Sequence, residues 1–311
     1  MKNFITINEE VIRVKTLMGI IESRDIVAVS RETEKELVDL FRKISPRYAR
    51  YLTIFNLFDP HSLGTVSEVI LTKLLKDEGL DVEHTGKQQG ITDIRMGDTN
   101  ISLKTTKSKT PINLGSDSKN VSRGDLEGVA TFMSDENFKQ LFLDSGMTLG
   151  DMLSTQETDF GGVGNEKEIK DSLVKLETRI ESIINKISGK ENTEEFVWVE
   201  KVYDDNFLGK IIIHVSSYDR DKVRDLFYTM VPYSTGKAWG LQTVDGVKMI
   251  QADSIGKQLN IKPAFIYETI SEDKQIPIDI PVKDMKLDDP KSFVNDKMFS
   301  ALEAMYNELF T

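Results

Sequence analysis

The chain contains no cysteine among its 311 residues and only three histidines, and each shortage excludes a kind of site. Without cysteine there is no disulfide, no zinc–thiolate site and no thiol nucleophile, and a reducing compartment suits the protein. The histidines, His61, His84 and His214, are not at ligand spacing, which argues against zinc hydrolases and paired-histidine metal sites. No apolar run reaches membrane-spanning length and the N-terminus lacks a signal peptide, so we expect a cytoplasmic protein without a membrane partner.

Acidic residues outnumber basic ones by 51 to 40, so the net charge of −11 argues against a general polyanion binder. Positive charge nevertheless collects locally, because residues 87–123 contain seven basic and three acidic side chains. This surplus is what a surface that follows a phosphate backbone requires. The 39% hydrophobic content suffices for a large core, and the length predicts one or two domains.

Residues 90–107 have the pattern of a tight β-hairpin with an acid on one strand and a lysine on the next. Successive side chains of a strand point to opposite faces of the sheet. One face is then apolar, and the other carries Asp93, Arg95, Ser102 and Lys104. On the simplest interpretation this polar face meets solvent, as in any half-buried hairpin. On the functional interpretation, Asp93 ligates Mg²⁺ and Lys104 stabilises phosphorane charge or orients the attacking water.

Two loop lengths keep the polar residues on one surface. A two-residue loop at Gly97-Asp98 sets Asp93 opposite Ser102, whereas a four-residue loop ending at Asn100 sets it opposite Lys104. A primed turn at Gly97-Asp98 requires residues that accept positive φ, as glycine does freely and aspartate tolerates.

The surroundings of the hairpin favour the functional interpretation. Residues 64–79 have the apolar spacing of an amphipathic helix with a closing glycine, and an extended segment follows at residues 80–85. The order helix, strand, strand, strand, with Asp-x(8)-Ser-x-Lys on the last two strands, resembles the PD-(D/E)xK nuclease superfamily, specifically its type II restriction endonucleases. The resemblance covers residues 62–145 and rests on a short motif.

The resemblance implies a role for each matching residue. It implies that Asp93 binds the metal, that Lys104 is the motif lysine and that Glu68, on the first helix, also binds the metal. Thr92 stands where the family has proline, and Ser102 stands where it has a second metal-binding acid.

A replacement acid could come from several places. The candidates are Glu68, Asp117, and one of Asp125 and Glu127. Glu68 also has a purely structural interpretation, because Thr65-x-x-Glu68 matches a capping box at a helix start.

A loop rich in hydroxyl and amide side chains follows the hairpin, from Thr105 to Asn120. Such side chains contact phosphates and base edges, although the composition also suits a flexible connector. The candidate DNA contacts are Lys107, Lys109, Asn113, Ser116, Lys119 and Arg123.

The predicted fold class is α/β, with a restriction-endonuclease-like mixed sheet flanked by helices. We divide the chain into an N-terminal helical segment (1–60), a nuclease core (61–160) and a C-terminal α+β region (161–311) for DNA recognition or dimerisation. Within these segments Pro46 is predicted to open a helix, Glu166 to Ser188 to form a long helix, and Ser292 to Phe310 a terminal helix. Strands are predicted from Glu195 to Val202, from Gly209 to Ser216, and from Ala264 to Ile270.

The function that follows is a Mg²⁺-dependent, sequence-specific endonuclease acting on double-stranded DNA as a homodimer. Two alternatives remain open. One is a homing, repair or phage-type nuclease on the same fold. The other is a DNA-binding or structural protein without catalysis, in which Ser102 marks a decayed site.

Overall fold

The computed structural model describes residues 32–58, 63–85, 92–116, 146–154, 166–189, 194–204, 207–235, 238–253 and 258–280. Its helices are α1 (Glu32–Phe58), α2 (Leu63–Asp77), α3 (Leu149–Ser154), α4 (Glu166–Ser188), α5 (Arg220–Tyr228) and α6 (Pro263–Thr269). Its strands are β1 (Val82–His84), β2 (Ile94–Met96), β3 (Thr99–Lys107), β4 (Ile112–Ser116), β5 (Glu194–Asp204), β6 (Phe207–Ser217), β7 (Val231–Ser234), β8 (Ala238–Gln242), β9 (Lys248–Asp253), β10 (Gln258–Ile261) and β11 (Gln275–Asp279). Across these ranges, no helix combines the length and the apolar content that crossing a bilayer requires.

Two sheets organise the strands. The larger has the order β1-β2-β3-β5-β6-β11, and it is mixed because β3 and β5 are parallel while its other neighbours are antiparallel. The smaller has the order β4-β10-β9-β8-β7 and is antiparallel throughout. The coarse prediction of an α/β protein with a mixed sheet is confirmed. The larger sheet contains strands from both the 61–160 and the 161–311 segments.

Each face of the larger sheet covers a different hydrophobic core. Val197 and Val199 of β5 point into a core with α1 and α2, whereas Phe196 and Trp198 point into a core with α4 and the smaller sheet. This arrangement explains why the middle of β5 is apolar without interruption, since a strand buried on both faces has no solvent side. The strands predicted from Glu195 to Val202 and from Gly209 to Ser216 are confirmed as β5 and β6, and they form a hairpin with Trp198 opposite His214.

Helix α1 continues through Pro46, so the prediction that a helix begins there is wrong. Proline has no backbone N–H and leaves the carbonyl four residues earlier without its helical donor. That carbonyl belongs to Arg42, and the Ser45 hydroxyl donates to it at 3.2 Å. Phe41 and Tyr48, on either side of the proline, are buried in the same core. The hydrogen bond from Ser45 and the burial of Phe41 and Tyr48 in one core therefore keep α1 a single helix.

The predicted strand from Ala264 to Ile270 is also wrong, because this segment forms helix α6. Pro263 occupies the first turn, where the fixed φ of proline favours a helix start. Phe265, Ile266 and Thr269 are buried, and this spacing forms one face of a helix. A short apolar run is compatible with the periodicity of a helix and with that of a strand. Here Pro263 at the start of the run favours the helix.

The predicted loop after the hairpin is largely ordered as strand. Strand β3 continues to Lys107, a tight turn passes through Lys109 at φ 64°, and β4 then joins the smaller sheet. The connector interpretation is therefore wrong for residues 105–116.

The long helix is confirmed as α4 and packs internally through Leu176, Ile180 and Ile187. The helices expected before residue 32 and from Ser292 to Phe310 lie outside the described residues.

One lysine of β5 is almost completely buried. Lys201 is 7% exposed, and burial lowers the pKa of its ammonium to about 8 from an ordinary value of 10.5. The unfolded chain keeps the higher pKa and therefore binds the proton more tightly at neutral pH. The buried Lys201 ammonium therefore lowers the free energy of unfolding below pH 8. This loss becomes smaller as the pH rises from 8 towards the ordinary pKa of 10.5.

Replacing Lys201 with methionine is expected to raise the free energy of unfolding at pH 7 by roughly 1–3 kcal/mol, because no charge is then desolvated. Urea denaturation at pH 7 and pH 9 measures the effect. Between pH 7 and pH 9 the wild type should gain stability relative to Lys201→Met. The difference in free energy of unfolding between the two proteins should therefore be smaller at pH 9 than at pH 7. Lys210→Met, with a side chain 39% exposed on the neighbouring strand, is the control and should change little. A variant less stable than the wild type at pH 7 would contradict this account of Lys201.

Candidate active site

The hairpin of β2 and β3 has the two-residue loop. Ile94 pairs with Ile101 and Met96 with Thr99, which leaves Gly97 and Asp98 as the turn. Gly97 has a φ of 55°, and Asp98 keeps a negative φ. The turn therefore needs positive φ only at its first residue, where glycine is preferred.

Asp93 and Lys104 form an ion pair across the hairpin. The Lys104 Nζ donates to Asp93 Oδ2 at 2.6 Å, and the same oxygen accepts the backbone N–H of Leu103 at 2.8 Å. Because the β2 ladder begins at Ile94, the carboxylate takes the place of a backbone acceptor for Leu103. Both side chains keep about a fifth of their surface exposed, so the pair remains accessible. The sequence motif is thus assembled in space.

Glu68 reaches the same place from α2. Its Oε2 lies 3.0 Å from Nε2 of His84 in β1. Burial raises the pKa of the Glu68 carboxyl and the Asp93 charge adds to the rise, while His84 and Lys104 oppose it. Helix α2 begins at Leu63, so Thr65 lies inside the first turn and the capping-box interpretation is wrong. His84 is a contact that the histidine spacing did not indicate.

Glu194 is an acid of this site that sequence reasoning missed. It is the first residue of β5 and lies beside Asn100 in the parallel ladder. Its Oε2 accepts the Thr92 hydroxyl at 3.2 Å. Burial raises its pKa to about 7, with Asp93 adding to the rise and Lys104 opposing it. The only sequence signal was an acid pair, Glu194-Glu195, ahead of an apolar strand, and the parallel pairing with β3 gives that signal its meaning.

Glu68, Asp93 and Lys104 line a cleft of about 420 Å³, while Glu194 lies behind its wall, bonded to Thr92. Ser102, which replaces the expected second acid, is fully buried in the cleft wall, and its hydroxyl has no hydrogen-bond partner among the described residues. The opposite wall comes from β4 and the end of α4. The cleft is lined by Glu68, Asp93, Ser102, Lys104, Asn113 and Lys186, among others.

The candidate DNA contacts do not all share this cleft. Asn113 lines it, and its Oδ1 accepts the N–H of Gly115 at 2.6 Å. Lys107 is exposed and lies 5.1 Å from the centre of the Tyr203 ring, while Lys109 is exposed in the turn. Ser116 ends β4, where its backbone pairs with Gln258. The remaining candidates lie outside the described residues: Lys119 and Arg123 as DNA contacts, and Asp117, Asp125 and Glu127 as replacement acids.

No three histidine, aspartate or glutamate side chains within the described ranges are gathered closely enough to form a ready-made metal cage. The carboxylates of the cleft nevertheless interact electrostatically, since the Asp93 charge raises the pKa of both Glu68 and Glu194. The site thus combines three acids with two lysine ammoniums, those of Lys104 and Lys186. Comparison with protein-family models, curated proteins and solved structures finds no match to this chain.

Proposed function

We propose that this protein is a Mg²⁺-dependent endonuclease that hydrolyses phosphodiester bonds of double-stranded DNA at specific sequences, in the manner of type II restriction enzymes. The observation that carries the proposal is the Asp93–Lys104 pair, 2.6 Å apart and open to a cleft that Glu68 also lines. A carboxylate and an ammonium held together beside an open space are the groups that metal-assisted phosphodiester hydrolysis needs.

The donor set fits magnesium. This ion prefers hard oxygen ligands and is commonly held by one or two carboxylates, with water in its remaining positions. Asp93 Oδ2 is occupied by Lys104 and Leu103, which leaves Oδ1 free of hydrogen bonds to other described residues. Asp93 and Glu68 would hold the ion, and a fully buried Ser102 hydroxyl without a partner lies in the same wall.

A bound Mg²⁺ supplies stabilisation of phosphoryl charge and a water of lowered pKa. The protein supplies position and charge. The Leu103 amide fixes the Asp93 carboxylate, which in turn fixes the Lys104 ammonium in the lining of the cleft. That ammonium, a compact charge with three donors, stabilises the negative charge that develops on the phosphate. His84 holds the Glu68 carboxylate by one oxygen and leaves the other for the cleft.

Substrate recognition and assembly belong to the same proposal. Asn113 and Lys186, which line the cleft with Lys104, are the proposed contacts to the nucleic acid beside the reacting phosphate. Cutting both strands of a duplex requires two sites, so a homodimer is the expected assembly.

The test is digestion of several large DNAs, methylated and unmethylated, by the full chain with Mg²⁺ and with EDTA. Discrete fragments that appear with Mg²⁺ and vanish with EDTA are expected. Cleavage that persists in EDTA, or no cleavage of any DNA by folded protein, would overturn the proposal.

A DNA-binding protein without catalysis is the second candidate. Ser102 favours it, because this residue replaces an acid that the motif requires. It predicts DNA binding, measured by mobility shift, that is indifferent to Mg²⁺. Cleavage in the digestion test would exclude it.

A further inference from the structure

Glu194 belongs to the same face of the sheet as the motif residues. It lies beside Asn100 in the parallel β3–β5 ladder, and Ser102 and Lys104 follow at alternate positions of β3. Residues two apart on a strand share a face, and laterally paired residues of neighbouring strands do the same. Glu194 is therefore on the surface of the sheet that carries Lys104, although more than 90 residues of chain separate it from Asp93.

The burial of Glu194 and Ser102 leaves two oxygens unsatisfied. Glu194 is 3% exposed, and its Oε2 accepts from Thr92 while its Oε1 has no hydrogen-bond partner among the described residues. Ser102 is fully buried in the cleft wall, and its Oγ is equally without a partner. Buried polar atoms in folded proteins are nearly always paired, so two such oxygens on one face point to a ligand that binds oxygen.

Charge identifies the class of ligand. Glu194 interacts electrostatically with both Asp93 and Lys104, so it belongs to their cluster. Three carboxylates then outnumber the two lysine ammoniums of the cleft, those of Lys104 and Lys186, and a small cation restores the balance. Oxygen donors of this kind suit a hard divalent cation.

We propose that Glu194 joins Asp93 and Glu68 as a carboxylate of the cation site, in place of the acid absent at position 102, with the Ser102 hydroxyl beside it. This inference rests on the proposed function, and it adds a cation-binding residue that the proposed function does not include. Glu68 and Glu194 each have one oxygen bound, to His84 and to Thr92, but of the two only Glu194 has a buried oxygen without a partner among the described residues. Thr92 orients Glu194 by Oε2, which leaves Oε1 as the oxygen that binds the cation.

The test measures cation binding without any nuclease readout. Titration of Mn²⁺ into the full chain, followed by calorimetry or by the paramagnetic resonance of free Mn²⁺, gives a dissociation constant. Glu194→Gln preserves shape and can still accept from Thr92, and it is expected to weaken binding roughly 10- to 100-fold. Glu194→Asp, which keeps the charge, should retain more affinity than Glu194→Gln. Glu83→Gln, which removes an exposed carboxylate of β1, is the matched control and should bind as the wild type does.

The possible results separate this inference from the proposed function. If Asp93→Asn loses Mn²⁺ while Glu194→Gln binds it as tightly as the wild type, the assignment of Glu194 is overturned and the nuclease proposal stands. If the wild type binds no Mn²⁺ and cuts no DNA, both are overturned. Thermal unfolding by circular dichroism checks that each variant is folded. If Glu194→Gln fails to fold, Glu194→Asp decides. Weaker Mn²⁺ binding by Glu194→Asp than by the wild type and by Glu83→Gln supports the assignment, and wild-type affinity overturns it.

Discussion

Replacing Asp93 with asparagine is expected to abolish DNA cleavage, with a loss of at least roughly 100- to 1,000-fold in rate. Asparagine keeps the shape of the side chain and can still accept the Leu103 N–H, so the hairpin should persist. It removes the charge that binds a cation and holds the Lys104 ammonium. Initial rates on a plasmid substrate, with circular dichroism as a check of the fold, measure the effect.

Replacing Lys104 with alanine is expected to cause a loss of the same order, because no other ammonium bonds to Asp93 in the part of the chain that is described. The Asp93 carboxylate would keep its bond to Leu103, so cation binding should survive although cleavage does not. This split between binding and rate separates the role of Lys104 from that of Asp93.

Lys210→Ala is the matched control for Lys104→Ala. Lys210 is also a strand lysine paired with an aspartate, Asp279, but the pair lies 4.0 Å apart at the opposite edge of the same sheet. Its loss should leave the cleavage rate unchanged. Wild-type rates in Asp93→Asn or in Lys104→Ala would show that the cleft is not the active site.

Replacing Gly240 with alanine is expected to destabilise the fold by roughly 3 kcal/mol or more. Gly240 lies in β8, between β7 and β9, where a Cβ would approach the Ile250 carbonyl oxygen to 2.0 Å and the Tyr233 ring to 2.7 Å. The oxygen belongs to the backbone of the paired strand, so no side-chain rotation can relieve the clash. Tyr233 covers the glycine and donates its hydroxyl to Ile250 O at 3.0 Å, and this bond would be strained as well.

Urea denaturation and the yield of soluble protein measure the effect of Gly240→Ala. Gly64→Ala is the control, because a Cβ at this position of α2 meets nothing within 4 Å. Alanine is the better helix former, so this variant should match the wild type or exceed it by as much as ~1 kcal/mol. Equal stability of Gly240→Ala and the wild type would mean that β8 and β9 approach less closely than described.

The local features of the fold were predictable because short-range physics determines them. Helices α2 and α4 follow from the period of their apolar residues, and strands β5 and β6 follow from their short continuous apolar runs. The two-residue turn at Gly97 was one of two options, and only the strand register decided between them. One error arose where a compensating contact was invisible in the chain, namely the Ser45 hydroxyl that allows α1 to continue through Pro46. The error at α6 arose because a short apolar run fits both a strand and a helix, and Pro263 at its start favours the helix.

The sequence alone determined that an acid and a lysine, Asp93 and Lys104, would meet across a hairpin, because the two strands are adjacent in the chain and alternation aligns their faces. Only the tertiary structure placed Glu194 beside them, since β3 and β5 pair in parallel and a parallel connection joins distant segments without a local signature. The same holds for the far wall of the cleft, where Asn113 and Lys186 come together from a strand and a helix of separate parts of the chain. The motif is local chemistry, whereas the composition of the site depends on which buried faces pack together, and that is a property of the whole fold.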